Sequence, residues 1–153
     1  MGPWLIPLVV LANGLAAGVL AGTQLGGWPL LRSLPANEYV RAHAFFATRY
    51  DPFMPICLVL TVLGDLVLGV FAAEGVAGAL FLTAAVLAVA TVGISLVKNV
   101  PVNKWVRGLD PAHLPGDFAE RDPRRNWGGW NRARTVLCTL ALAANCVALG
   151  LLL

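Results

Sequence analysis

Charge is scarce in this chain. Charged residues make up 12% of the 153 positions against 58% hydrophobic, and mean hydropathy is +0.75. A soluble globular domain carries about 25% charge, so this balance excludes an ordinary soluble fold and predicts an integral membrane protein. Cysteine is also sparse: Cys57, Cys138 and Cys146 are odd in number, sit in apolar runs and form no C-x-x-C pair. That excludes a recognisable zinc motif or disulfide framework and leaves packing residues. The first apolar run lacks a basic leader and is longer than a signal peptide's apolar region, so a retained helix is expected. No internal repeat of the kind common in transporters is visible.

What is present is a succession of apolar runs. A membrane span takes about 20 residues, which leaves room for about four. The expectation is a single all-α domain, 1–153: a membrane four-helix bundle with spans at about 4–25, 52–73, 76–97 and 135–153. The tight turn at Glu74–Gly75 makes the second and third spans an antiparallel hairpin. The connections are 27–51, holding a short interfacial helix, and 98–134, a long ordered loop.

The net charge of +3 suggests nucleic acid only until the basic residues are located. Arg32, Arg41 and Arg49 lie in the first connection and the other eight lie between Lys98 and Arg134. Basic residues that flank spans report topology, so no nucleic-acid partner is expected. In a four-span chain these connections share one side, and the positive-inside rule makes it cytoplasmic, with both termini outside.

Gly14, Gly18, Gly22 and Gly26 recur every four residues on the first span. Small-xxx-small spacing lets another helix approach closely, either within the bundle or as a homo-oligomer seam through the Gly14, Gly18, Gly22 face. Asp65 lies roughly 20 Å from the start of its span, and Asn145 and Asn13 roughly 16 Å from the same side, at 1.5 Å per residue. All three can meet near mid-membrane. An intramembrane carboxyl marks a functional site by default, while a polar clasp between helices is the equally available structural reading. A pocket joining this cluster to the cytoplasmic side would need a gap between helices.

Residues 98–134 form too long a connection for a turn between packed helices, and Trp105, Trp127 and Trp130 argue for order. A helix starting near Asp122–Pro123 would place Trp127, Asn131 and Arg134 on one face. That triplet suits either a flat oxygenated aromatic ligand, through stacking, a hydrogen bond and a cation, or an interfacial anchor. In the first connection, Tyr39, His43, Phe46 and Tyr50 share a helical face, readable as a pocket lining or as headgroup-level aromatics.

NVPVN at 99–103, followed by a basic loop and W-x-x-W-N-x-x-R at 127–134, resembles the anthrone oxygenase-like family of small four-helix membrane proteins. The resemblance implies oxygenation of a lipophilic polycyclic aromatic, such as an anthrone in polyketide biosynthesis, by dioxygen. It implies site roles for Asn103, Trp127, Asn131 and Arg134 and names no base. A base beside the acidified C–H would generate a carbanion that reacts with dioxygen, and nearby donors would stabilise the oxyanion.

The base is sought among two histidines, His43 and His113. His43 is preferred because its face is aromatic and apolar. The catalytic expectation is therefore His43, Asn103, Trp127, Asn131, Arg134 and Asp65. The cofactor is left open between none beyond dioxygen and a metal or haem; His43 and His113, with Asp117 or Asp51 as carboxylate partner, are the ligand set if a metal is held. Expected partners are a lipophilic aromatic molecule and membrane lipid. The competing class is a non-catalytic membrane protein that binds a lipid, quinone or partner protein.

Overall fold

The computed structural model describes residues 4–153, and all the regular structure among them is helical. Five main helices are present among the described residues: α1 (Leu5–Ser33), α2 (Ala36–Arg49), α3 (Phe53–Ala72), α4 (Gly75–Arg107) and α5 (Arg124–Leu151). A single turn, Phe118–Arg121, precedes α5. Four helices, the last taken together with that turn, are long and apolar enough to cross a membrane. The architecture is that of a membrane helical bundle, α1, α3, α4 and α5 packing in a ring in that order. The α3–α4 turn closes on Gly75 at φ 58°, a left-handed conformation that favours glycine.

The helices run further than the apolar runs that announce them. α1 ends at Ser33, not near residue 25; α4 continues through NVPVN to Arg107; and α5 begins at Arg124. Residues 98–134 are thus ordered and mostly helical, with only 108–117 and 122–123 outside helix. Hydropathy marks where a helix can meet hydrocarbon, not where its hydrogen-bond ladder stops. Proline ordinarily interrupts a helix, yet Pro29 and Pro101 are absorbed. Each follows a π-helical turn, Thr23–Gly27 in α1 and Ser95–Asn99 in α4. There the Trp28 and Val100 N–H groups donate five residues back, to the Thr23 and Ser95 carbonyls. The surplus residue of a π turn accommodates the gap in the ladder that a proline imposes.

The packing is inverted relative to a soluble bundle. Leu8, Leu11, Leu15, Leu63, Val86, Leu140 and Val147 are exposed on the outside, whereas the helix contacts are made by Ala12, Ala16, Ala84, Ala85, Ala88 and Ala141. Helices in lipid gain little from hiding leucine and associate through close packing of small residues. The glycines that serve this are not the α1 row. A Cβ on Gly64 would collide with Val9, and one on Gly128 with the Trp28 ring. At Gly18, Gly22 and Gly26 an added Cβ meets nothing within 4 Å, and at Gly14 only Leu142 Cδ1 at 3.9 Å. The regular spacing of that row therefore does not mark a seam inside the bundle.

Polar groups fill the interior instead. Asn13, Asp65 and Asn145 are fully buried and converge from α1, α3 and α5. Asn145 Nδ2 donates to Asp65 Oδ2 at 3.2 Å, and with its amide turned, Asn13 accepts from Asn145 Nδ2 at 3.1 Å and donates to the Cys138 carbonyl at 3.2 Å. Polar residues this deep do double duty as glue only when they find each other. At the end of the bundle where α2 lies, Leu31, Tyr39, Val40, Val106, Phe118 and Trp127 form a second core that seats α2 against the extension of α4.

Candidate active site

Three side chains settle one another's orientation where α2, α4 and α5 meet. Trp127 Nε1 donates to Asn103 Oδ1 at 2.8 Å, and His43 Nε2 lies 2.9 Å from the same oxygen. An indole N–H only donates, so the Asn103 amide must present its oxygen. That oxygen only accepts, so His43 Nε2 must carry the proton. In the neutral ring the lone pair is then on Nδ1, and Nδ1 is buried with no partner. His43 is 2% exposed and packs edge-on to both Tyr39 and Trp127. Its burial pushes the imidazolium below the usual histidine range, opposed by the Asn103 bond. The result is a neutral base of defined tautomer.

The second element is Arg134 on α5, 7% exposed. Its Nε and Nη2 donate to Asn131 Oδ1 at 3.1 and 2.8 Å, and its Nη1 donates to Ser95 Oγ at 3.2 Å. Asn131 is held in turn by donating to Gln24 Oε1 at 2.8 Å. These acceptors are all neutral, and no carboxylate pairs with Arg134 among the described residues. Three N–H groups are engaged, which leaves two of a guanidinium's five unused. A buried cation without a counter-charge is costly. Its fixed neutral shell makes it a donor awaiting an anionic or electron-rich oxygen.

His43, Asn103, Trp127, Ser95 and Arg134 all line one cavity of about 620 Å³. That lies in the range of small-molecule sites, about 300–1,000 Å³. The rest of the wall is mainly apolar: Val19, Leu20 and Leu31 from α1, Phe46 from α2, Met54 and Leu58 from α3, and Val92 and Val100 from α4. Of the residues expected to act, His43, Asn103, Trp127 and Arg134 are brought together at the wall. Asn131 is behind it as the support of Arg134.

Asp65, with Asn13 and Asn145, is absent from the cavity lining, and belongs to the separate interhelical cluster. His113 and Asp117 are also elsewhere. His113 Nδ1 pairs with Asp110 at 2.9 Å at the surface, which holds the Asp110 carboxyl below its usual range, and Asp117 pairs with Arg121. Among the described residues no group of three or more His, Cys, Asp or Glu side chains is placed to hold a metal ion.

Two contributors escaped the sequence reading. Ser95 and Gln24 fix the guanidinium and its supporting amide, but serine in an apolar helix ordinarily bonds its own preceding turn. Ser95 does this too, to the Thr91 carbonyl at 2.8 Å. Only the four-residue spacing of Thr91 and Ser95 hinted at a polar face.

A family profile described as anthrone oxygenase matches residues 42–144. The chain belongs to the anthrone oxygenase family. The match runs from the residue before His43 to beyond Arg134, so it spans every polar group of the cavity wall on α2, α4 and α5. It leaves out α1, whose contribution to the wall is mostly apolar. No curated protein and no solved structure matches the chain. On one mainly apolar cavity the chain presents a histidine of fixed tautomer and a guanidinium with no carboxylate partner among the described residues.

Proposed function

We propose that this protein is a membrane-embedded oxygenase that converts a lipophilic polycyclic aromatic of the anthrone type to its quinone with dioxygen. The observation that carries the reading is that His43, whose Nδ1 has no partner, and Arg134, with two N–H groups unused, line one mainly apolar cavity. The ring carbonyl of the substrate lies toward Arg134 and the acidic methylene toward His43.

His43 Nδ1 takes one methylene proton, and the electron pair delocalises onto the carbonyl oxygen as an oxyanion that Arg134 stabilises. The carbanion is oxidised by dioxygen, which is reduced to a carbon-bound peroxide, and His43 returns the proton to it. Loss of the second methylene proton then forms the new C=O as the O–O bond breaks. The departing hydroxide takes that proton and leaves as water. One anthrone and one dioxygen give one anthraquinone and one water. Asn103 and Trp127 are positioning residues that keep His43 in its Nε2–H form.

The cavity end of the bundle faces the cytoplasm in this reading, since the connections there carry all 11 Lys and Arg residues. The test is oxygen uptake and quinone absorbance with anthrone supplied to the protein in vesicles, against protein-free vesicles to subtract autoxidation. Uptake that depends on protein and is lost in His43→Ala supports the oxygenase. Uptake equal to the protein-free control sinks it.

A further inference from the structure

The structure assigns a bilayer-facing doorway to the cavity at Gly22 and Gly26 of α1, through which a flat apolar ligand passes directly from the hydrocarbon. This inference rests on the oxygenase reading for the identity of the ligand, and on independent geometry for the route.

Gly22 and Gly26 both line the cavity and are themselves exposed. A Cβ added at either position would meet no neighbouring atom within 4 Å, so these glycines are not spent on helix packing. The space they leave opens between the outside and the cavity. Asp51 and Pro55 are also exposed and line the cavity, and the exposed leucine and valine side chains in its lining are Leu30 at 48%, Val59 at 51% and Leu96 at 61%. All three sit on helices long and apolar enough to cross a membrane. This part of the rim meets acyl chains, with Asp51 in the connection before α3 as its charged exception, and the ligand leaves one apolar phase for another.

The π turn Thr23–Gly27 falls at the same place. Such turns weaken the regular ladder and occur frequently at functional sites. Inside the doorway stands a side chain that only a ligand would complete: Arg134, with two N–H groups unused.

Gly18 provides the internal control. It lies four residues before Gly22 in the row, is exposed, has the same free space around an added Cβ, and is not part of the cavity lining. A leucine there adds the same bulk in the same helix without touching the route.

The experiment uses the full chain in phosphatidylcholine vesicles loaded with 9,10-anthraquinone, a photoreactive diaryl ketone, with irradiation and mapping of covalent adducts by mass spectrometry. The reporting position is Leu58, which lines the cavity and is 3% exposed, so that lipid-borne ketone does not reach it from outside. Adduct at Leu58 is expected in the unaltered chain and in Gly18→Leu, and at least tenfold less in the Gly22→Leu/Gly26→Leu double variant. Gly22→Ala/Gly26→Ala, a smaller obstruction, is expected to fall between them, and helix content by circular dichroism confirms that each variant is folded.

Equal labelling of Leu58 in the double leucine variant and the unaltered chain overturns the doorway, as does an equal loss in Gly18→Leu. No labelling of Leu58 in the unaltered chain overturns it too. The two proposals separate cleanly. Glycine-dependent labelling without oxygen uptake from anthrone keeps the doorway and removes the oxygenase reading. Undiminished oxygen uptake in the double leucine variant does the reverse.

Discussion

At the scale of single residues, the chain from Trp127 through Asn103 to His43 makes a specific claim about protonation. The unfolded histidine has a pKa of about 6.5, and burial lowers it in the fold. Neutral His43 is therefore favoured by folding. Its contribution to stability is present above about pH 6.5 and is lost as pH falls through the lower, folded value. Activity should follow the same group: a flat rate at neutral pH with an acid limb below the ordinary histidine range, measured as oxygen uptake against pH. Trp127→Phe removes the N–H that orients Asn103 and lets the amide turn. Its rate should fall about tenfold or more, as expected for a misdirected general base, with little change in KM. The discriminating readout is an acid limb shifted relative to that of the unaltered enzyme, which a merely packing role for Trp127 would leave in place. Arg134 makes the complementary claim. Arg134→Gln keeps an amide's hydrogen-bonding capacity and removes the charge. Loss of an oxyanion donor costs about 100- to 1,000-fold in kcat, and a fall of less than fivefold would remove Arg134 from the mechanism.

At the scale of elements, the glycines divide by what surrounds them, and this predicts stability. Gly64 takes the Val9 side chain between α1 and α3, whereas Gly18 on α1 has open space. Overpacking a tight contact costs about 1–3 kcal/mol. Gly64→Ala should therefore lower the unfolding midpoint in detergent by several degrees, while Gly18→Ala leaves it unchanged or raises it slightly through helix propensity. Equal effects would show that α1 and α3 do not pack as described. For packing inside the bundle, the sequence pattern alone pointed to the wrong glycines. The row at 14, 18, 22 and 26 has the familiar period, while Gly64 and Gly128 have no motif and owe their role to a valine and a tryptophan far away in the chain. The same limitation explains the helix ends. Pro29 and Pro101 lie inside long helices because a π turn, which leaves no signature in hydropathy, precedes each. Hydrophobic runs, by contrast, report directly on lipid contact, and so the helical bundle and its four long helices were legible.

At the scale of the whole molecule, the polar groups separate into two layers, and this too was only half legible. Trp127, Asn131 and Arg134 could be placed on one face by helical spacing. The partner relations His43 with Asn103 and Arg134 with Ser95 span 60 and 39 residues and follow only from the bundle's ring order. Asp65 was as prominent in sequence as Arg134, yet it bonds Asn145 away from the cavity. Orientation in the membrane is the remaining property of the whole chain, and charge placement predicts it. Every Lys and Arg belongs to the cavity end, while Glu74 marks the opposite turn. The predicted insertion is the one that retains the basic connections on the cytoplasmic side. Cys57 and Cys138 are buried and Cys146 lies within the apolar part of α5, so a Cys146→Ala background leaves little reactive thiol for a water-borne reagent. In that background Glu74→Cys should react with a membrane-impermeant maleimide in right-side-out vesicles, and Asp117→Cys only in inverted ones. The opposite pattern would place the His43 cavity on the outer side and overturn the assigned orientation, while leaving the hydrogen-bond geometry of the cavity untouched.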